Sequence, residues 1–281
     1  MNFEKYVQDL GDVKDSTNIF GIPTGTKLDE MFHRVDMENG KFVRKPLGGI
    51  PSYSVINVTG VADTGKSLLA EQFALTQALR GYNVLFVTVE SPVQFLHSSL
   101  KKKAELVGTE FDRIEKNISV IDVSNEFELR ENLSTLLNTM DYAIRTRKTS
   151  ITIIDSITGL YESKEMIARQ IVRSIYNFLK SHRQTAMLIS QKRSLQSSDT
   201  AEAAGGLAVA HIVEGTVVMS KKLIESKFDS SLYNMPIGSV LRTIRIDGCR
   251  MVPHDDNTYV FDINDAGFIE IKSKLHEFIR R

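Results

Sequence analysis

The sequence predicts an α/β fold: a mostly parallel central sheet with helices on both faces and an antiparallel extension at its C-terminal end. Three observations carry this. Several β-branched runs are continuously apolar rather than alternating, as strands buried on both faces are. Segments of helical length, with apolar residues at helical spacing, separate those runs. After Gly205 the helical segments give way to short apolar runs joined by short turns, the rhythm of antiparallel strands.

The elements follow in order. Residues 1–20 are polar and weakly periodic, and read as an N-terminal extension, helical in part. Gly21-Ile22-Pro23-Thr24-Gly25 is a turn cluster, and Lys27–Phe32 a short helix. Residues 34–47 are polar and charged and read as a surface excursion before Gly48-Gly49-Ile50-Pro51. Then come strands at Ser54–Thr59, Asn83–Val89, Ile118–Val123, Ser150–Ile154 and Thr185–Ser190. Helices at Leu68–Arg80, Val93–Val107, Glu126–Thr146 and Lys164–Arg183 alternate with them. Further strands are expected at Ile212–Ser220, Gly238–Ile246, Thr258–Ile263 and Phe268–Ile271. The best division is one domain over 21–272, the extension before it, and a tail over 273–281. That tail reads as frayed, or alternatively as a short amphipathic helix for a partner.

Bulk properties narrow the function. Thirty-five basic residues balance thirty-five acidic ones, which disfavours tight non-specific nucleic-acid binding. The one cysteine, Cys249, permits no intramolecular disulfide and no cysteine metal cluster. No leader and no membrane-length apolar run is evident, so a cytoplasmic protein is expected.

The strongest motif is Gly60-Val61-Ala62-Asp63-Thr64-Gly65-Lys66-Ser67, which fits G-x-x-x-x-G-K-[ST]. Glycines at its ends let the backbone wrap so that N–H groups point at phosphate oxygens. Lys66 brings a point charge to the β- and γ-phosphates, and the Ser67 hydroxyl is placed to ligate Mg²⁺. The helix that starts here adds its positive dipole end, so Gly60 through Leu68 form the expected ATP-binding run. Asp63 is unusual beside phosphates and must point away from them.

Mg²⁺ needs a second acid at the end of a buried strand, and Asp155 closes Ile151-Thr152-Ile153-Ile154. Its plain alternative is a turn cap. Hydrolysis needs a group to activate water. Glu90, in Val89-Glu90-Ser91-Pro92, leaves the strand that follows the phosphate-loop helix, where ligands of open parallel sheets gather. A solvated turn glutamate is the alternative. Gln191, at the end of Leu188-Ile189-Ser190, could sense the γ-phosphate and pass its state to Lys192–Gly206, or could merely bond neighbouring backbone.

Together these segments resemble the KaiC-like branch of the RecA/DnaB superfamily. Gly21–Gly25 with Leu28-Asp29 is similar to that family's opening motif, and Gly48–Pro51 to the turn before its phosphate-loop strand. Val89-Glu90-Ser91-Pro92 resembles its acidic motif, with one glutamate where the family commonly has two. Ile153-Ile154-Asp155-Ser156 resembles its Walker B strand, and Ala210–Gly215 its "EHLVDG"-like entry. Ile246-Asp247-Gly248-Cys249-Arg250 through His254 lies where the family has its "K-x-R-G…H"-like strand end, with Gly248 in place of the lysine. The resemblance covers about residues 20–272. It implies a RecA-like P-loop NTPase that forms homo-oligomeric rings, typically hexamers, with ATP between neighbours. It makes Arg250, and next Arg245, the residue reaching a neighbour's γ-phosphate; the plain alternative for Arg250 is a pair with Asp247 or Asp255. It also makes His254 a nucleotide contact, or else a turn histidine.

The leading expectation is therefore an oligomeric Mg²⁺-dependent ATPase acting as a switch for an unidentified protein partner. A DNA motor is the second reading. Its loop, Lys192–Gly206, has only Lys192 and Arg193 as positive residues and no aromatic for stacking. A non-hydrolysing ATP-binding module is the third. No second phosphate loop is present, so autokinase activity is not inferred.

Overall fold

The computed structural model describes residues 7, 9–12, 18–192 and 208–279. The chain enters through the strand β1 (Gly21–Ile22) and a 3-10 turn at Lys27–Glu30, capped by the Thr26 hydroxyl. Where residues 34–47 are expected as a surface excursion, the chain forms a hairpin of β2 (His33–Glu38) and β3 (Lys41–Pro46). Its two-residue turn, Asn39-Gly40, has both residues at positive φ, as a type I′ connection requires. β4 (Ile50–Pro51) pairs with β1 and leads into β5 (Val55–Gly60).

The main layer then builds in sequence: α1 (Lys66–Leu79), β6 (Val84–Thr88), α2 (Val93–Leu106), β7 (Ile118–Asp122), α3 (Phe127–Glu131), α4 (Leu133–Arg147), β8 (Ile151–Asp155), α5 (Ala168–Ser181) and β9 (Thr185–Gln191). After it come α6 (Ala208–Ile212), β10 (Gly215–Leu223), α7 (Lys227–Tyr233), β11 (Val240–Cys249), β12 (Tyr259–Ile263), β13 (Ile269–Lys274) and α8 (Leu275–Phe278). Nine strands form one sheet in the order β13-β12-β11-β10-β5-β9-β8-β6-β7. Strands β10, β5, β9, β8, β6 and β7 pair in parallel, while β11 to β13 continue the sheet antiparallel. The expected fold class stands.

Successive strand residues feed two cores. Ile56, Val58, Val84 and Phe86 join Leu69 and Phe73 of α1 on one face. Val55, Leu85 and Val87 join Leu136 and Met140 of α4 and Ile175 and Leu179 of α5 on the other. Helix α5 buries Ile171, Val172, Ile175 and Leu179, a one-sided stripe. Helix α1 is enclosed more fully, and backbone meets both ends of its buried Gln72 and the amide nitrogen of Gln77, whose Oε1 has no partner among the described residues. Gln72 donates to Gly25 O and accepts from Ile269 N, and Gln77 donates to Pro23 O.

Four expectations are corrected. The long helix over Glu126–Thr146 breaks at Asn132, whose extended backbone and side-chain oxygen cap α4 by accepting from Ser134 and Thr135 N–H. The helix expected from Lys164 starts at Ala168, because Glu162–Ile167 winds as a kinked 3-10 segment with Lys164 held by Glu131. Ile212 ends helix α6 instead of opening a strand. The segment expected as a frayed tail continues β13 to Lys274, and Leu275 and Phe278 pack over Ile224, Leu241 and Val260.

Candidate nucleotide-binding site

The site lies at the C-terminal ends of the parallel strands, where β5, β6, β8 and β9 release the chain together. Strand β5 delivers Gly60 into the loop 61–65, and α1 begins at Lys66. Gly65 precedes the helix at φ +94°, a conformation that favours glycine. Gly60 is required for a different reason: a Cβ there would stand 2.3 Å from the Met219 carbonyl oxygen. Thr64 Oγ1 and Lys66 Nζ both donate to the Val61 carbonyl, at 3.1 and 2.8 Å, closing the loop on itself.

A cavity of about 440 Å³ opens here. Lys66, Ser67, Glu90, Asp155 and Gln191 all line it, together with Leu68 and loop residues Ala62, Asp63 and Gly65. Asp63 sits at positive φ, is largely exposed, and pairs with Lys221 at 3.6 Å, so its charge is partly met outside the phosphate cradle. Gly60, Val61 and Thr64 shape the loop without lining the cavity.

The electrostatics fit a cation and an anionic ligand. Burial pushes the Asp155 carboxyl up to about 6, reinforced by Glu90 and Glu71 and opposed by a hydrogen bond from Ser67 and by Lys66. Burial lowers Lys66, and Asp155, Glu90 and Asp63 pull it back. A buried carboxylate crowded by like charges, bonded to the hydroxyl of the residue that follows the lysine, is a donor set that Mg²⁺ would relieve. The ligand-facing oxygens and loop N–H groups therefore suit a magnesium–nucleotide pair.

Three cavity-lining residues were not anticipated: Ser156, Ile189 of β9 and Ile263. Ser156, joined to Asp155 by a cis peptide, donates to Glu90 Oε1 and accepts from Gly159 N–H at 3.2 Å, so it orients the glutamate. Its signal was its place directly after the strand-end acid. Ile263 closes the far wall from β12, with Ile269 of β13 beside it against Gly65, and no local pattern announces that. Gln191 stands opposite Gly60 in the β5–β9 ladder, and its N–H bonds Thr158 Oγ1 at 2.9 Å. Most of Lys192–Gly206, Arg193 included, lies outside the described residues.

Arg250 and His254 do not line the cavity of their own chain. Cys249 pairs with Gly215, which pairs with Ile56, at the opposite end of β5 from Gly60. Neither carboxylate named as an alternative partner holds Arg250. Its guanidinium donates to the carbonyls of Val213 and His211, and Asp247 pairs with Arg245. His254 bridges Phe32 and stands 3.2 Å from Asp256.

The model of the KaiC ATPase family matches residues 22–276. The chain belongs to the KaiC ATPase family. Among its relatives is a UPF0273 protein of Thermotoga maritima, 25% identical over 79% of this chain and 89% of that one. Another is the circadian clock oscillator protein KaiC of a Nostoc species, 28% identical over 78% of this chain but only 40% of the longer clock protein. In three dimensions the chain is similar to a KaiC-like protein of Pyrococcus horikoshii, with a TM-score of 0.64 and 20% identity, covering 80% of this chain and 92% of that one. That likeness extends the RecA-like KaiC fold to this protein. None of the described helices is long and apolar enough to cross a membrane.

Proposed function

We propose that this KaiC-family protein is a Mg²⁺-dependent ATPase that works as a ring with ATP between neighbouring subunits, serving as a regulatory switch for a protein partner. The observation that carries the reading is the convergence of Lys66, Ser67, Glu90 and Asp155 on one cavity at the strand ends. Lys66 would leave Val61 O for the β- and γ-phosphates, exchanging a carbonyl for an anion. Ser67 and Asp155 would hold Mg²⁺, which supplies neutralisation of the charge on the phosphate oxygens. Glu90, fixed by Ser156, would accept a proton from the attacking water. Gln191, on the strand beside the loop, would report the γ-phosphate.

Arg250 is assigned to the neighbour's ATP. Four residues of strand, about 13 Å, separate the level of Gly60 from that of Ile56, where Arg250's strand ends, so it would act in trans or not at all. His254, four residues on, would approach the same shared ligand.

The test is Mg²⁺-dependent ATP hydrolysis over a range of protein concentrations, with Glu90→Gln and Arg250→Ala beside the parent. Turnover should rise with assembly, and both variants should bind ATP yet lose turnover by about 10²–10⁴-fold. A parent that binds ATP without turnover would reduce the protein to a nucleotide-gated module.

A further inference from the structure

The β2–β3 hairpin has two unlike faces. The register Met37↔Phe42 and Val35↔Arg44 puts these four residues on one face. Arg34, Asp36, Glu38 and Lys45 share the other, where Lys45 pairs with Asp36 and Glu38, and Arg34 with Asp36. That polar face is internally satisfied. The apolar face is open, with Met37 63% and Phe42 79% exposed. A two-stranded hairpin is marginal by itself, and an exposed apolar face on one marks a contact surface.

A matching surface exists in the same chain. Between α3–α4 and the start of α5 lies an apolar groove of about 220 Å³, floored by Leu129, Leu133, Leu136, Leu160, Ile167 and Ile171. Charge complements shape. Residues 33–46 carry four basic and two acidic side chains, whereas 126–131 and 162–167 carry five acidic and two basic. The two surfaces cannot meet within one chain. Phe32 and Leu47, at the hairpin's base, pack in the α1-side core, and the groove belongs to the α4–α5 side. Between two copies they can meet, and a contact of unlike patches closes into a ring or runs as a filament.

Their positions suit a ring with shared nucleotide. Arg130 of the groove donates to Val89 O at 3.0 Å, one residue from Glu90. The hairpin's base is tied to the Arg250–His254 segment, because His33 N–H donates to Pro253 O at 2.8 Å and Phe32 bridges His254. We propose that the apolar face of the hairpin of one copy seats in the α3–α5 groove of the next, carrying the Arg250 segment toward that copy's cavity. The inference rests on the ring reading above and names the contact that builds it.

The experiment is sedimentation velocity of the full chain with MgATP, folding being checked by circular dichroism. Phe42→Asp and Ile167→Asp should each weaken assembly roughly tenfold or more. Arg44→Glu and Glu128→Lys should each weaken it, and the two together should restore it. In a Cys249→Ser background, a Met37→Cys chain mixed with an Ile167→Cys chain should cross-link as a mixed pair under oxidation. A folded Phe42→Asp variant that assembles like the parent would overturn the proposal, leaving the hairpin face to a different protein and the ATPase reading intact. A parent that binds and hydrolyses ATP as a monomer would overturn it too. Assembly through the hairpin without any ATP binding would uphold this contact and sink the ATPase reading instead.

Discussion

At the scale of single residues, the phosphate loop was open to reading because its chemistry is contiguous. Eight neighbours, Gly60 to Ser67, name the loop, and strand-end position names Asp155 and Glu90. Ser156 and Ile263 needed the fold, since one acts through a turn and the other arrives from the far end of the chain. Asp63 shows what a residue off the motif's usual chemistry does. Held at positive φ beside Lys221, it keeps a negative charge near an anion's place. Asp63→Asn preserves a side chain that tolerates this backbone and removes the charge. ATP affinity measured by calorimetry should tighten about threefold, on the order of 0.6 kcal/mol for a screened charge at this range. Unchanged affinity would mean that Lys221 already neutralises it.

At the scale of elements, periodicity located strands and helices well and their breaks poorly. Asn39-Gly40 announces a hairpin, but its flanks are too charged to show clean alternation, and the stretch reads only as a surface excursion. Asn132-Leu133-Ser134-Thr135 announced a cap in the middle of an apolar period, and the period won the reading. The loop after β11 holds a different device. Burial alone would raise Asp255, but the N–H of Asn257 at 2.7 Å, the Tyr259 hydroxyl at 2.8 Å, the Asn257 side chain and Lys274 bring it down to about 2. A carboxyl lowered by folding stabilises above its ordinary value near 4, and that stability is lost as pH falls through about 2. Asp255→Asn should therefore cost about 1–2 kcal/mol at pH 7, and the difference from the parent should shrink toward pH 2 in denaturant titrations. A pH-independent difference would contradict the assignment.

At the scale of the whole molecule, parallel pairing was readable and strand order was not. Each strand's apolar run says that both its faces are covered, yet nothing local says that β5 lies between β9 and β10. Both cores hang on the one sheet, so they should melt together. The chain has no tryptophan and eight tyrosines, so near-ultraviolet and far-ultraviolet circular dichroism are the matched probes. Their transitions should coincide and should rise with MgATP, in Glu90→Gln as in the parent, by about 2.7 kcal/mol at a hundred times the dissociation constant. Separate transitions would mean that the two faces of the sheet fold independently.

The splice between β5 and β9 has a mechanical side. Lys192 N–H grips the Gly60 carbonyl at 3.0 Å, and Gln191 N–H grips Thr158, in the turn beyond Asp155 and Ser156. A tug at Lys192 would load those bonds, and the load would arrive at the phosphate loop and at the turn beyond Asp155 together. The end of β9 is thus a drawstring on both halves of the cavity.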